Sequence, residues 1–172
     1  MTAPGQFKLT VGFLERIGLF AGMPTETLER LANELSVHRC EVGQPIVKEG
    51  ATTPEMFVVI GGELEVVKSS KPEGDVRVAL LGPGDWFGEM SILDVQPRSA
   101  SVRALAPTML IRIGPDDIEQ KLYRQDLKAY AIFMMNIARE LSRKLRVADG
   151  ILAQFFAAVS TQYQKPTPSN RT

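Results

Sequence analysis

The sequence predicts an α+β chain in which a domain of short strands, of sandwich or small-barrel type, lies between N-terminal helices and one long C-terminal helix. Apolar residues recur at helical spacing over 13–35 and again after residue 114. Between about 37 and 113 the pattern changes to β-branched runs separated by glycine turns, which is typical of sandwiches and small barrels. The 172 residues are 44% hydrophobic and 23% charged, so the chain has an ordinary globular composition.

The N-terminal region predicts helix in two pieces over 13–35, after an N-terminal arm of residues 1–12. The second piece opens at Thr25, a residue type that often caps a helix N-terminus. We therefore expect an amphipathic helix, whose apolar residues are Leu28, Leu31, Ala32 and Leu35.

The central region predicts strands joined by tight turns. Two β-branched runs flank Gly61-Gly62 in "EMFVVIGGELEVVKSS", and this glycine pair suits the primed turn of a hairpin. Another turn is expected at "KPEGD", and "SASVRAL" and "TMLIRIG" are typical of two further strands. Together with the helices before them, these strands form a predicted domain over 13–126.

The C-terminal region predicts a short helix at about 115–124 and then a long helix over 127–159, with Gly150 as a possible kink. A strict heptad seam over 131–159 favours pairing with a second copy, and packing back onto its own domain is the alternative. The polar residues 160–172 are expected to be disordered. The seam residues alternate at spacings of 3 and 4, and they are Ala131, Met134, Ala138, Leu141, Leu145, Ala148, Leu152, Phe155 and Val159.

Composition excludes several classes of function. A formal net charge of zero, from 20 basic and 20 acidic residues, argues against a surface built wholly for nucleic acid. A single cysteine, Cys40, and the absence of a long apolar run favour a cytoplasmic chain without a membrane span. The single histidine, His38, is expected at a helix-to-strand boundary. A metal-dependent oxygenase needs two or more histidines, so we expect neither a metal or cofactor nor enzymatic activity.

One stretch, "FGEMSILDVQPRSASV", combines the groups needed to bind a phosphate next to a sugar. Gly88 permits a tight turn, and the N–H groups that begin the following helical turn favour an anion. Glu89 can accept from a hydroxyl group, and Arg98 offers a planar fork of donors to a phosphate oxygen. Ser99 adds a hydroxyl. These are the parts of a phosphate cradle that has no P-loop lysine.

The segment "GDWFGEMSILDVQPRSASVRAL" resembles the phosphate-binding cassette of the cyclic nucleotide-binding domain family. The helical entry of that family resembles "FLERIGLFAGMPTETLERLANEL", and its first strands resemble "MFVVIGGELEVV". The resemblance therefore covers about 13–159. It implies a double-stranded β-helix, or jelly-roll-like β-roll, whose pocket is covered by the final helix.

The resemblance also implies a role for each residue of the cassette. Glu89 would accept from the ribose 2′-hydroxyl, and Arg98 would pair with an exocyclic phosphate oxygen. The other implied contacts are the hydroxyl of Ser99 on the phosphate, the backbone of Gly88, Met90 and Ser91 at the pocket floor, and Val78 and Leu80 against the sugar or base.

Two departures from the family pattern affect the expected function. Ala148 stands where a polar base contact is often found, so the base is open, although Ser99 resembles the bacterial cyclic AMP binders. Leu152, Phe155 or Phe156 could cap the base or pack in the seam. Only a short polar segment follows Val159, so no DNA-binding helix is expected.

The expected function is a stand-alone sensor, most consistent with cyclic AMP, whose C-terminal helix signals to a separate protein effector. Cyclic GMP is the alternative ligand, and a cyclic dinucleotide suits one arginine and one glutamate less well. The alternative function is a dimeric scaffold whose pocket is vestigial or permanently filled.

Overall fold

The structure is a computed structural model that describes residues 7–70, 74–94 and 96–163, the last three by their backbone alone. At the N-terminus, helix α1 (Val11–Leu14) is followed by a 3₁₀ turn (Gly18–Phe20) and helix α2 (Thr25–Glu34). The residue before α2 is Pro24, which makes no side-chain cap, so Thr25 is the first helical residue and not the N-cap that the sequence suggested. The apolar face of α2 is buried at Leu28 and Leu31, as the periodicity predicts.

Among the described residues, eight strands form two four-stranded sheets in which all adjacent strands are antiparallel. The first sheet has the order β1-β8-β3-β6 and the second β2-β7-β4-β5. A short helix α3 (Met90–Leu93) lies between β6 and β7. The strands are β1 (Ser36–Cys40), β2 (Pro45–Val47), β3 (Met56–Gly61), β4 (Leu64–Ser70), β5 (Gly74–Leu81), β6 (Trp86–Phe87), β7 (Ser101–Ala104) and β8 (Thr108–Ile113).

The predicted hairpin about Gly61-Gly62 is wrong, because β3 and β4 belong to different sheets. Gly62 has φ +99°, and a Cβ there would lie 2.6 Å from the carbonyl oxygen of Pro107 and 2.7 Å from Cα of Thr108. The glycine pair therefore makes a crowded corner that carries the chain from one sheet to the other. The turn expected at "KPEGD" falls largely on residues 71–73, which lie outside the described residues.

The core of the β-domain lies between the two sheets and draws side chains from both. Phe57 on β3 and Phe87 on β6 stack with their centroids 5.3 Å apart. Cys40 is buried in the same cluster, whereas His38 on β1 is exposed. The cluster also contains Val47, Val59, Leu64, Val102, Ala104 and Leu110.

After β8 the chain is helical, first as α4 (Pro115–Asp117) and a π-helical segment (Ile118–Tyr123), and then as α5 (Leu127–Tyr163). The backbone N–H of Gly114 donates to Oδ2 of Asp117 at 2.8 Å, which caps α4. Helix α5 continues four residues beyond its predicted end at 159, so 160–163 of the expected tail are helical and 164–172 lie outside the described residues.

The chain divides into two compact units, 1–136 and 137–172, and the boundary falls within α5. In the first unit, Nδ2 of Asn136 donates to the carbonyl oxygens of Leu19 and Ala21, both at 3.0 Å. Phe133 lies 6.3 Å from Phe20 between ring centroids. Hydrogen bonds from Asn136 and the aromatic contact of Phe133 thus fix the start of α5 to the segment around the N-terminal 3₁₀ turn.

Candidate anion-binding site

Arg98 is a buried charge that the surrounding main chain holds in place. Its backbone N–H donates to the carbonyl oxygen of Ala51 at 2.8 Å, and its own carbonyl oxygen accepts from the N–H of Gly50 at 2.9 Å. The residue is only 6% exposed. Because guanidinium stays charged at any physiological pH, the fold has removed a cation from water at this point, and such a cation needs an anionic or polar partner.

The guanidinium group of Arg98 is only partly satisfied by protein. Nη2 donates to the carbonyl oxygen of Glu55 at 2.6 Å, and Nη1 to that of Gly88 at 3.4 Å. Nε is buried and has no hydrogen-bond partner among the described residues. A buried donor left in this state is costly, so the guanidinium group suits an additional acceptor.

The turn before α3 brings Gly88 against Arg98. Gly88 has φ +84°, and a Cβ there would lie 2.6 Å both from Nη1 of Arg98 and from the carbonyl oxygen of Glu55. It would also lie 3.2 Å from Cα of Met56. Glycine is required at position 88 for two reasons: the backbone is left-handed, and strand β3 approaches it closely.

Glu89 follows this turn and is 3% exposed. Its carbonyl oxygen accepts from the N–H groups of Ile92 and Leu93, at 3.1 and 3.3 Å, which closes the single turn of α3. The carboxylate is close enough to Arg98 to affect its ionisation. Burial lowers the pKa of Arg98, and the carboxylates of Glu55 and, to a smaller extent, Glu89 oppose that shift.

The structure therefore brings together three of the residues predicted from the sequence, namely Gly88, Glu89 and Arg98. Ser91 is buried beside them, but its N–H donates to the carbonyl oxygen of Gly88 at 3.2 Å and is engaged within the turn. Ser99 follows Arg98 directly and is exposed.

The remaining predicted residues are exposed. Met90, on α3, is 59% exposed. Val78 and Leu80 lie on β5, an edge strand of the second sheet, and both are more than half exposed. Leu80 is paired with Glu65, which forms an ion pair with Arg103. The roles of Val78 and Leu80 stay predictions.

Two residues at the site were missed by sequence reasoning. Glu55 provides the carbonyl oxygen nearest to the guanidinium of Arg98, and its carboxylate accepts from Nε of Arg112 at 2.7 Å and from Nη2 of the same residue. The local sequence around Glu55 and Arg112 gives no sign of these contacts. Glu55 is 43 positions from Arg98 and 57 positions from Arg112. The pairing of β3 with β8 brings Glu55 next to Arg112, and the main-chain hydrogen bonds of Arg98 to Gly50 and Ala51 hold Arg98 in place.

Within the described ranges, no three His, Cys, Asp or Glu side chains are grouped so as to hold a metal ion. In that same part of the chain, no helix is both long enough and apolar enough to cross a membrane. Arg98 offers a cationic fork of donors, and the carboxylate of Glu89 is able to accept from a hydroxyl, so the site has the groups needed to bind an organic anion.

The fold is a β-roll in which the buried Arg98 and Glu89 form a candidate site for an anionic ligand. Residues 37–125, just over half of the chain, match the model of the cyclic nucleotide-binding domain. The chain belongs to this family, which confirms the resemblance seen in its cassette.

Known relatives agree with this assignment. The chain is 32% identical over 131 residues to the cyclic AMP receptor protein of Thermus thermophilus, covering 76% of this chain and 58% of that protein. It is also 32% identical over 111 residues to the cAMP-dependent protein kinase regulatory subunit of Yarrowia lipolytica, covering 64% and 29% respectively. The chain thus spans less than two thirds of the length of each of these relatives.

A solved structure confirms the predicted fold class. The cyclic nucleotide-binding domain from Methylobacillus flagellatus superposes with a TM-score of 0.73 at 26% identity, covering 84% of this chain and 81% of that one. The α+β class, the β-roll and the long C-terminal helix are all as the sequence predicted.

Proposed function

We propose that this chain is a cyclic AMP sensor in which Arg98 binds the cyclic phosphate and Glu89 accepts from the ribose 2′-hydroxyl. The observation that carries the proposal is the buried guanidinium of Arg98, whose Nε has no acceptor among the described residues. Ser99, the backbone of Gly88, Met90 and Ser91, and the side chains of Val78 and Leu80 complete the proposed contacts.

A cyclic phosphodiester suits the charges at this site better than an open nucleotide does. A cyclic nucleotide carries a single negative charge, which matches the one guanidinium group. The carboxylates of Glu55 and Glu89 both act on Arg98, and they would repel the additional charges of a nucleoside diphosphate or triphosphate. Glu89 instead favours a neutral hydroxyl donor beside the phosphate.

Cyclic AMP is preferred over cyclic GMP because the relatives from Thermus thermophilus and Yarrowia lipolytica are both named for cyclic AMP. Ala148, at the position where a polar base contact is often found, provides no hydrogen bond that would select either base. The presence of both Glu89 and Arg98 argues against a scaffold with a vestigial pocket. The experiment below distinguishes a permanently filled pocket from an empty one.

The second part of the proposal concerns output. Heptad-seam side chains of the second unit are exposed in the single chain, with Leu145 at 63%, Leu152 at 52% and Phe155 at 61%. An uninterrupted apolar seam of this kind is typically buried against a second helix. We assign that role to a second copy of the chain. Ligand-dependent movement of α5 would then present a changed surface to a separate protein effector in the cytoplasm.

The test is calorimetric titration of nucleotide-stripped protein with cyclic AMP and, separately, with cyclic GMP. Arg98→Leu should weaken binding about 10- to 150-fold, since charge-assisted contacts contribute roughly 1.5–3 kcal/mol. Arg124→Leu is the matched control, because it removes the same charge from a residue 63% exposed that is paired with Glu119. Equal affinity of the Arg98 variant and the control would refute the site, and nucleotide released on unfolding untreated protein would reveal a filled pocket.

A further inference from the structure

Glu55 contacts two arginines through different atoms. Its carbonyl oxygen accepts from Nη2 of Arg98 at 2.6 Å, and Oε1 of its carboxylate accepts from both Nε and Nη2 of Arg112. The strand pairing fixes this geometry. Met56, the next residue, pairs with Ile113, which follows Arg112 on β8. Glu55 therefore contacts both guanidinium groups: its main-chain carbonyl binds Arg98, and its carboxylate binds Arg112.

This arrangement places a competing anion close to the ligand arginine. The charge of Glu55 raises the pKa of Arg98 more than that of Glu89 does, although Glu89 belongs to the predicted cassette. A carboxylate and a phosphate accept from the same N–H groups of a guanidinium group, and each can form two parallel hydrogen bonds with it. A carboxylate of Glu55 that turned towards Arg98 would thus occupy donors that the ligand requires.

Arg112 is the group that restrains this carboxylate. Both of its contacts fall on the same oxygen of Glu55, and its side chain is 45% exposed while that of Glu55 is 23% exposed. A pair this exposed contributes little to stability on its own. The ion pair between Arg112 and Glu55 therefore adds little to the free energy of unfolding, but it directly determines where the carboxylate of Glu55 lies.

We propose that Arg112 is a positioning residue that holds the carboxylate of Glu55 away from Arg98 and thereby keeps Arg98 available to an anionic ligand. This inference rests on the proposed function, since it takes the ligand to be a cyclic nucleotide bound through Arg98. Loss of Arg112 releases an internal competitor. Loss of both charges removes the competitor together with its restraint.

The binding experiment compares the wild type with Arg112→Gln, Glu55→Gln and the double variant by calorimetric titration with cyclic AMP. Arg112→Gln is expected to weaken binding about tenfold, and the double variant to return to within about threefold of the wild type. Arg124→Gln, which removes an arginine paired with Glu119, should leave the affinity within about twofold. An unchanged affinity in Arg112→Gln, or a double variant as weak as Arg112→Gln, overturns the proposal, because a merely structural role would not be rescued.

A second experiment needs no nucleotide. The coupling between Glu55→Gln and Arg98→Leu is measured by urea unfolding, once in the wild-type background and once with Arg112→Gln. Glu55→Gln retains the carbonyl oxygen, so the coupling reports on the carboxylate alone. The coupling between the two substitutions, expressed as a factor in the unfolding equilibrium constant, should be at least threefold larger in the Arg112→Gln background than in the wild type. Equal coupling in both backgrounds rejects the role of Arg112 even if cyclic AMP binds, whereas increased coupling without any binding rejects only the proposed ligand.

Discussion

Gly88→Ala is expected to destabilise the protein more than Gly84→Ala, although both glycines have left-handed backbone, with φ +84° and +91°. That conformation alone costs an alanine about 1–2 kcal/mol. At Gly84 a Cβ would meet nothing within 4 Å, whereas at Gly88 it would lie 2.6 Å from the main-chain oxygen of Glu55 and from Nη1 of Arg98. Moving a strand backbone aside adds about 1–3 kcal/mol.

The two variants therefore separate backbone strain from crowding. We expect Gly84→Ala to lose about 1–2 kcal/mol of unfolding free energy, and Gly88→Ala about 2–5 kcal/mol, measured by urea denaturation followed by circular dichroism. Cyclic AMP affinity should fall more than about tenfold in Gly88→Ala, since the guanidinium of Arg98 is displaced, and should hardly change in Gly84→Ala. Equal losses of stability in the two variants would refute the close packing inferred at the turn.

Three further changes test other parts of the chain. Asn136→Leu should lower the unfolding free energy by about 1–3 kcal/mol in urea denaturation, because the buried carbonyl oxygen of Leu19 and the part-buried one of Ala21 lose their donor. Hydrogen bonds, led by that from Thr27, lower the pKa of Asp126 below its ordinary 3.8, so its ionised form stabilises the fold. The stability advantage of the wild type over Asp126→Ala should be complete above that value and shrink as pH falls through the lowered pKa, and a constant difference contradicts the assignment. Leu152→Lys should convert dimer to monomer in analytical ultracentrifugation, whereas Gln154→Lys, off the seam, should not; a dimer in both variants would rule out the seam.

Local pattern was sufficient to predict the classes of element and the proximity of Gly88, Glu89 and Arg98. Gly88, Glu89 and Arg98 lie within eleven consecutive positions, so their proximity follows from one turn and one short helix. The family model and the superposed structure confirm the β-roll. The predicted domain boundaries and the proposed seam remain predictions.

Pairing between distant strands could not be predicted in the same way. Two β-branched runs around Gly61-Gly62 have the same local pattern in a hairpin and in a corner between sheets. The crowding that decides between them comes from Pro107 and Thr108, more than forty positions away. The contact of Glu55 with Arg112 is also long-range, because it depends on the register in which β3 pairs with β8.

Cys40, the single thiol of the chain, is buried in the core between the two sheets. Burial raises the pKa of this thiol, and the neighbouring carboxylate of Glu41 raises it further, so little reactive thiolate is present at neutral pH. A cysteine introduced on the exposed surface of α5, for example at Ala153, would therefore react with a maleimide dye or spin label long before Cys40 does. The native sequence is thus already suited to site-directed labelling, and distances between labels on two copies can follow the helix as nucleotide is added.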